Sequence, residues 1–165
     1  MGELPGRMFR SIWRDSKGTA LIEAAISLPV LFILVFGVFE FSWAVYQQHL
    51  ILTGISDAAR YIARSTTPND PTTKKDAKYL ATTGAVDGDT PRVSGWTADD
   101  IDISYTFINN PTGDNGLTNF RGGAVIESVT VSTTFTVPSL GFFGILHISP
   151  PILNVSHQER IIGSG

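Results

Sequence analysis

Cysteine is absent from all 165 residues, which excludes disulfides, thiol nucleophiles and thiolate metal sites. Charge is scarce too. Asp, Glu, Lys and Arg make up 16 % of the chain, against about 25 % in ordinary soluble domains. The net charge of −3 gives no strong pull on nucleic acid, so none is expected as a partner. Histidine is sparse: His49, His147 and His157 fall in different parts of the chain and form no ligand pattern. There is no HExxH, no phosphate loop (Lys17-Gly18 has the order reversed) and no dinucleotide glycine fingerprint. The acids at Asp87-Gly88-Asp89 and at Asp99-Asp100-Ile101-Asp102 lack EF-hand spacing and read as solvated turns rather than calcium loops. These absences leave no catalytic constellation, no metal site and no cofactor to expect. Repeats and low-complexity tracts are missing as well.

The chain does hold one concentrated apolar run. Residues 24–45 read AAISLPVLFILVFGVFEFSWAV, with Glu40 as the only ionisable group. Twenty-two helical residues at ~1.5 Å each cover about 33 Å, enough for the hydrocarbon core of a bilayer. Apolar side chains occur all round this helix, as suits lipid. Glu40 lies near the outer end, where an acid is expected to reach the headgroups. Trp43 and Tyr46 follow, and both favour the interface. Residues 1–18 carry Arg7, Arg10, Arg14 and Lys17 against Glu3 and Asp15, a balance of +2. By the positive-inside rule this end stays in the cytoplasm and everything after Tyr46 crosses the membrane. A cleavable secretory signal is the simpler alternative, with Ser42-Trp43-Ala44 as its cut site. The run is too long for it, since signal-peptide cores span about 7–15 residues.

The residues before the span carry a second pattern. A basic leader ends at Gly18, and Glu23 stands five positions later, directly before the apolar helix. This order resembles the prepilin signal, in which a membrane peptidase cuts after the glycine on the cytoplasmic face. The mature chain would begin at Thr19. A new ammonium there, at a membrane boundary, needs a counter-charge, and a carboxylate about one turn along a neighbouring helix supplies it. Glycine at the cut leaves the backbone open to the protease. The plainer account of Glu23 is an acid favoured by the helix dipole, by ~0.3–1 kcal/mol. Pro29 likewise has two readings. It removes a backbone donor and loosens the helix about a turn earlier, which would ease repacking on leaving the membrane, or it is merely tolerated in a spanning helix.

Residues from about Trp13 to Arg64 resemble the TadE-like family, pseudopilins of the Tad (Flp) tight-adherence pilus system. The resemblance rests on Arg14-Asp15 and Lys17-Gly18, on Glu23, on Pro29 early in the span, on Gly37-Val38-Phe39-Glu40-Phe41, and on Ala58-Ala59-Arg60-Tyr61-Ile62-Ala63. Flp-type signals usually place an aromatic after the glutamate, and Ala24 stands here instead. The resemblance implies a non-enzymatic, membrane-anchored minor pilin or pseudopilin in the bacterial inner membrane, taking part in pilus assembly for adhesion or secretion. Its partners would be the lipid bilayer, prepilin peptidase, other pilin or pseudopilin subunits and pilus-assembly membrane proteins. Some relatives in the wider group are anchored without cleavage.

After the span the helix is expected to run on to about Arg64, with Ile51, Ile55, Ala58, Ala59 and Ile62 on one face. That stripe could pack on the chain's own sheet or on a partner helix. Asp57 and Arg60 stand at i,i+3 and can pair weakly. Residues 66–73 read as a linker, and a short helix follows over 74–82 with Ala77, Leu80 and Ala81 inward. Alternation predicts strands over 101–107 and 125–137 and a third over 152–162. Between the last two, residues 140–146 are apolar but broken by glycines; a buried loop is expected, with an exposed patch that touches membrane or a partner as the alternative. The expected fold is α+β. A leader (1–18), a transmembrane helix (19–46) and its amphipathic continuation (47–65) precede a periplasmic domain (66–165) with a roughly three-stranded antiparallel sheet. Two other organisations fit the same residues. One is an uncleaved bitopic scaffold whose outer domain binds another envelope protein, and the other is a binding domain released after Ala44.

Overall fold

The structure, a computed structural model, describes residues 16–114 and 116–162. The leader expected over 1–18, with Arg7, Arg10 and Arg14, lies outside the described residues up to position 15. The chain divides into two units, Met1–Phe41 and Ser42–Gly165. Helix α1 (Ser16–Arg64) supplies the described part of the first unit and the opening of the second. Its long run of Leu, Ile, Val, Phe and Ala keeps it helical through Pro29.

In the second unit the chain folds as α+β, as expected. Helix α2 (Pro71–Thr83) begins three residues before the predicted start. The reason is local chemistry at the end of the expected linker. The Asp70 carboxylate accepts from the Thr72 and Thr73 amides at 2.9 and 3.4 Å, and Pro71 takes the first helical position, where its missing N–H costs nothing. Gly84, with φ of 89°, closes the helix by donating to the Leu80 carbonyl at 2.9 Å.

Strands β1 (Ile101–Asn109), β2 (Val125–Thr136) and β3 (Ile152–Arg160) form an antiparallel meander in that order. Ile101 pairs with Thr133, and Thr133 with Val155, so their side chains lie in a row on one face. Val129, Val131 and Val155 bury that face against Ile51, Ile55, Ala58, Ala59 and Ile62 of α1, all fully buried apart from Val155 at 7 %. The amphipathic stripe is therefore part of the chain's own core, and the partner-helix alternative for it falls away. Trp96 is fully buried. Its indole N–H donates to Thr133 Oγ1 at 3.1 Å, and that hydroxyl donates to the Asp100 carbonyl at 2.7 Å.

Two expectations about this unit are corrected. Asp57 does not pair with Arg60. It binds Arg92 at 2.9 Å, and Arg60 reaches Glu159 on β3 at 3.5 Å. A long-range partner wins because tertiary packing brings it closer than the helical neighbour. Residues 140–146 are not a buried loop. They contain the short helix α3 (Phe142–Ile145), and Leu140, Ile145 and Leu146 are 59, 74 and 39 % exposed. Gly141, at φ of 108°, turns the chain into α3 and away from the core.

Candidate functional site

From Leu21 to Phe41, fourteen large apolar side chains of α1 are 41–72 % exposed, on every face of the helix. At ~1.5–3 kcal/mol for each fully buried side chain, leaving this surface in water would cost on the order of 10–20 kcal/mol. That equals or exceeds the whole stability of an ordinary domain, about 5–15 kcal/mol. This segment needs an apolar covering of lipid or protein. Among the described residues α1 is the one helix with the length and composition to cross a membrane. Glu40 departs from expectation: it is 2 % exposed rather than reaching outward, and it has an interaction partner. A partnered acid is a cheaper guest in an apolar segment than a bare one.

Gly18 lies in the first turn of α1, where backbone N–H groups have no intrahelical acceptor and the turn opens readily. Among the described residues, a Cβ at Gly18 would meet nothing within 4 Å. Thr19 and Glu23 are both exposed and four residues apart, which places them on one helix face, about 6 Å apart along the axis. Pro29 lies further along the same helix and leaves the Ala25 carbonyl without its helical donor. Ala24, Ser27, Leu28, Leu31 and Leu34 line a shallow apolar groove on this segment. Their i, i+3, i+4, i+7 spacing is that of a stripe to which another helix can be fitted.

At the far end of the apolar run the structure adds contacts that periodicity could not give. The Trp43 indole N–H donates to the Pro138 carbonyl at 3.2 Å, and Gln47 Nε2 donates to the same oxygen at 3.4 Å. Trp43 and Tyr46 rings lie 5.8 Å apart. Asn110 is a second feature the sequence concealed. It is 1 % exposed and staples the 110–124 loop by donating to the Phe120 and Gly123 carbonyls and accepting from the Phe120 amide. A polar residue in a Gly/Asn-rich loop gives no signal of that role.

Several titratable groups outside the span have structural partners. The Glu159 carboxyl is held below its usual range, chiefly by its hydrogen bond with His157 at 3.0 Å and further by Arg60. Burial raises the Tyr105 phenol, which donates to the Pro68 carbonyl at 2.6 Å. Burial and then the neighbouring Asp76 raise Tyr61. Asp100 folds back on the Thr97 amide and hydroxyl at 2.8 and 2.9 Å and caps the turn Ala98–Asp100. Among the described residues no three His, Asp or Glu side chains converge on a point that could hold a metal ion.

No curated protein and no solved structure matches the chain. The family model described as TadE-like protein matches residues 18–60, about a quarter of the length. The matched segment opens at Gly18 and takes in Thr19, Glu23, Pro29, Glu40 and Arg60. Over those residues the resemblance seen in the sequence is borne out: residues 18–60 of this chain are similar to the TadE-like family.

Proposed function

We propose that this chain is a membrane-anchored minor pilin or pseudopilin that takes part in assembling a Tad-type (Flp) pilus, for adhesion or secretion. The TadE-like match associates it with the Tad pilus system in general. The observation that supports the finer role is the order Gly18, Thr19, Glu23 set directly before a helix whose apolar surface is open on every side. Residues 1–18 serve as a cytoplasmic leader, 19–46 cross the inner membrane, 47–65 continue outward, and 66–165 stand in the periplasm. Prepilin peptidase cuts after Gly18. The Thr19 ammonium then pairs with Glu23 of a neighbouring subunit, which demands an axial stagger of about 6 Å, four residues of helix rise. Only subunits in that register satisfy both charges in an apolar setting, so the pair selects one packing. Pro29 gives the helix a point at which to bend as it leaves lipid.

The test is made in the native host. Intact mass or N-terminal sequencing of the membrane-extracted protein should find Thr19 as the first residue, and an intact Met1 would refute cleavage. Glu23→Ala should insert normally and abolish piliation, and normal piliation by that variant would refute the pairing. One observation favours a second reading, an uncleaved bitopic scaffold that binds another envelope protein. Ala24 stands where Flp-type signals carry an aromatic. Full function after Gly18→Ala would select that reading.

A further inference from the structure

We propose that the β2–β3 loop, residues 138–151, is a second membrane contact that dips its apolar side chains into the outer interface of the bilayer. The inference rests on the reading of residues 24–45 as the span, which sets the level of that interface at Trp43 and Tyr46. Trp43 and Gln47 both donate to the Pro138 carbonyl, so the start of the loop is fastened to α1 at the aromatic belt. The loop closes on itself. The Val137 amide donates to the Pro151 carbonyl at 3.1 Å, and the Ile148 amide to the Phe143 carbonyl at 2.8 Å. Within that closed frame Leu140, Ile145, Leu146 and Ile148 are 39–74 % exposed.

Composition points to lipid as the occupant. Residues 138–151 read PSLGFFGILHISPP, with no Asp, Glu, Lys or Arg and one histidine, His147. A second loop with exposed apolar side chains, 110–124, carries Asp114 and Arg121. An uncharged apolar loop that starts from a contact with Trp43 lies where lipid can receive it. Its backbone is irregular, with α3 a single turn, so insertion stops at the headgroup and upper acyl region, about 5–10 Å deep. The loop and α1 then give the second unit two attachments to the bilayer surface, which restricts tumbling about the single helix.

The absence of native cysteine makes the test direct. Full-length single-cysteine variants Ile145→Cys and Ile148→Cys, labelled with an environment-sensitive fluorophore, are reconstituted in phosphatidylethanolamine–phosphatidylglycerol vesicles. Leu34→Cys reports on the span, and Leu117→Cys on the charged loop. Lipids carrying a nitroxide near the headgroup should quench the labels at 145 and 148, while aqueous iodide should quench them at least about threefold less than the label at 117. If 145 and 148 are quenched by iodide like 117 and not by lipid, while 34 is lipid-quenched, the loop inference is overturned and the span stands. Labels at 145 and 148 shielded from both quenchers would mean that a second copy covers the loop, which also overturns it. A label at 34 that lipid nitroxides at no depth can quench would overturn the span reading and this inference with it.

Discussion

A methyl group added at Gly54 would land on the Ala81 carbonyl oxygen and come within 2.9 Å of Trp96 Cη2. The lack of a side chain there lets α1 and α2 approach closely enough for Ala58, Ala77 and Ala81 to be fully buried. Gly54→Ala must push the helices apart or displace a buried tryptophan, so it should destabilise the second unit by about 1–3 kcal/mol. Gly37→Ala, whose added carbon meets nothing within 4 Å, should leave that stability unchanged. Denaturant unfolding of both full-length variants in detergent, followed by tryptophan fluorescence, checks the contrast. At this scale the sequence was partly legible. The stripe from Ile51 to Ile62 announced itself by spacing, and its burial followed. Gly54, Trp96 and Asn110 did not, because their roles come from a close approach, one buried hydroxyl and two carbonyls that folding brings from elsewhere.

Among the elements, strands showed through best. Alternating Val and Thr in β2 set its buried face, and the register follows from burying Val129 and Val131. Boundaries shifted where capping chemistry outweighed composition, as at Asp70 and Pro71. The apolar loop before β3 misled because hydrophobicity alone does not say whether a segment will be buried in the core or left exposed. β3 also brings Glu159, which pairs with His157, within reach of Arg60 on α1. The folded carboxyl of Glu159 is lowered, so its contribution is complete above the ordinary carboxylate value, near ~4.3, and is lost as pH falls through the folded value. The groups are partly exposed, so solvent screening limits that contribution to about 0.2–1 kcal/mol. Unfolding free energies of wild type and Glu159→Gln, from denaturant titrations, should therefore differ by that amount at neutral pH and converge as pH falls below the folded carboxyl value. A gap that persists in acid would show that the glutamate acts through packing rather than charge.

For the whole molecule, one chain has been given two solvents. Residues 42–165 bury an apolar core as a soluble domain does, while the segment before them leaves its apolar side chains open. This contrast was the most legible feature of the sequence, because an all-round apolar helix has no buried stripe to find. Its strength can be estimated. Thirteen Leu, Ile, Val and Phe residues in 24–45, at roughly 0.3–0.6 kcal/mol each, favour insertion by about 4–8 kcal/mol before the cost of Glu40 and Pro29. One lysine at the centre costs about 2.5–3.5 kcal/mol. Leu31→Lys alone should thus still insert, whereas Leu31→Lys with Leu34→Lys, costing about 5–7 kcal/mol, should cancel the preference and release the chain on carbonate extraction. The paired control is Leu117→Lys, at a site 68 % exposed in the loop 110–124, which should leave membrane retention unchanged. If the double lysine variant stays in the membrane fraction, the helix is held there by partner proteins rather than by its own partition into lipid.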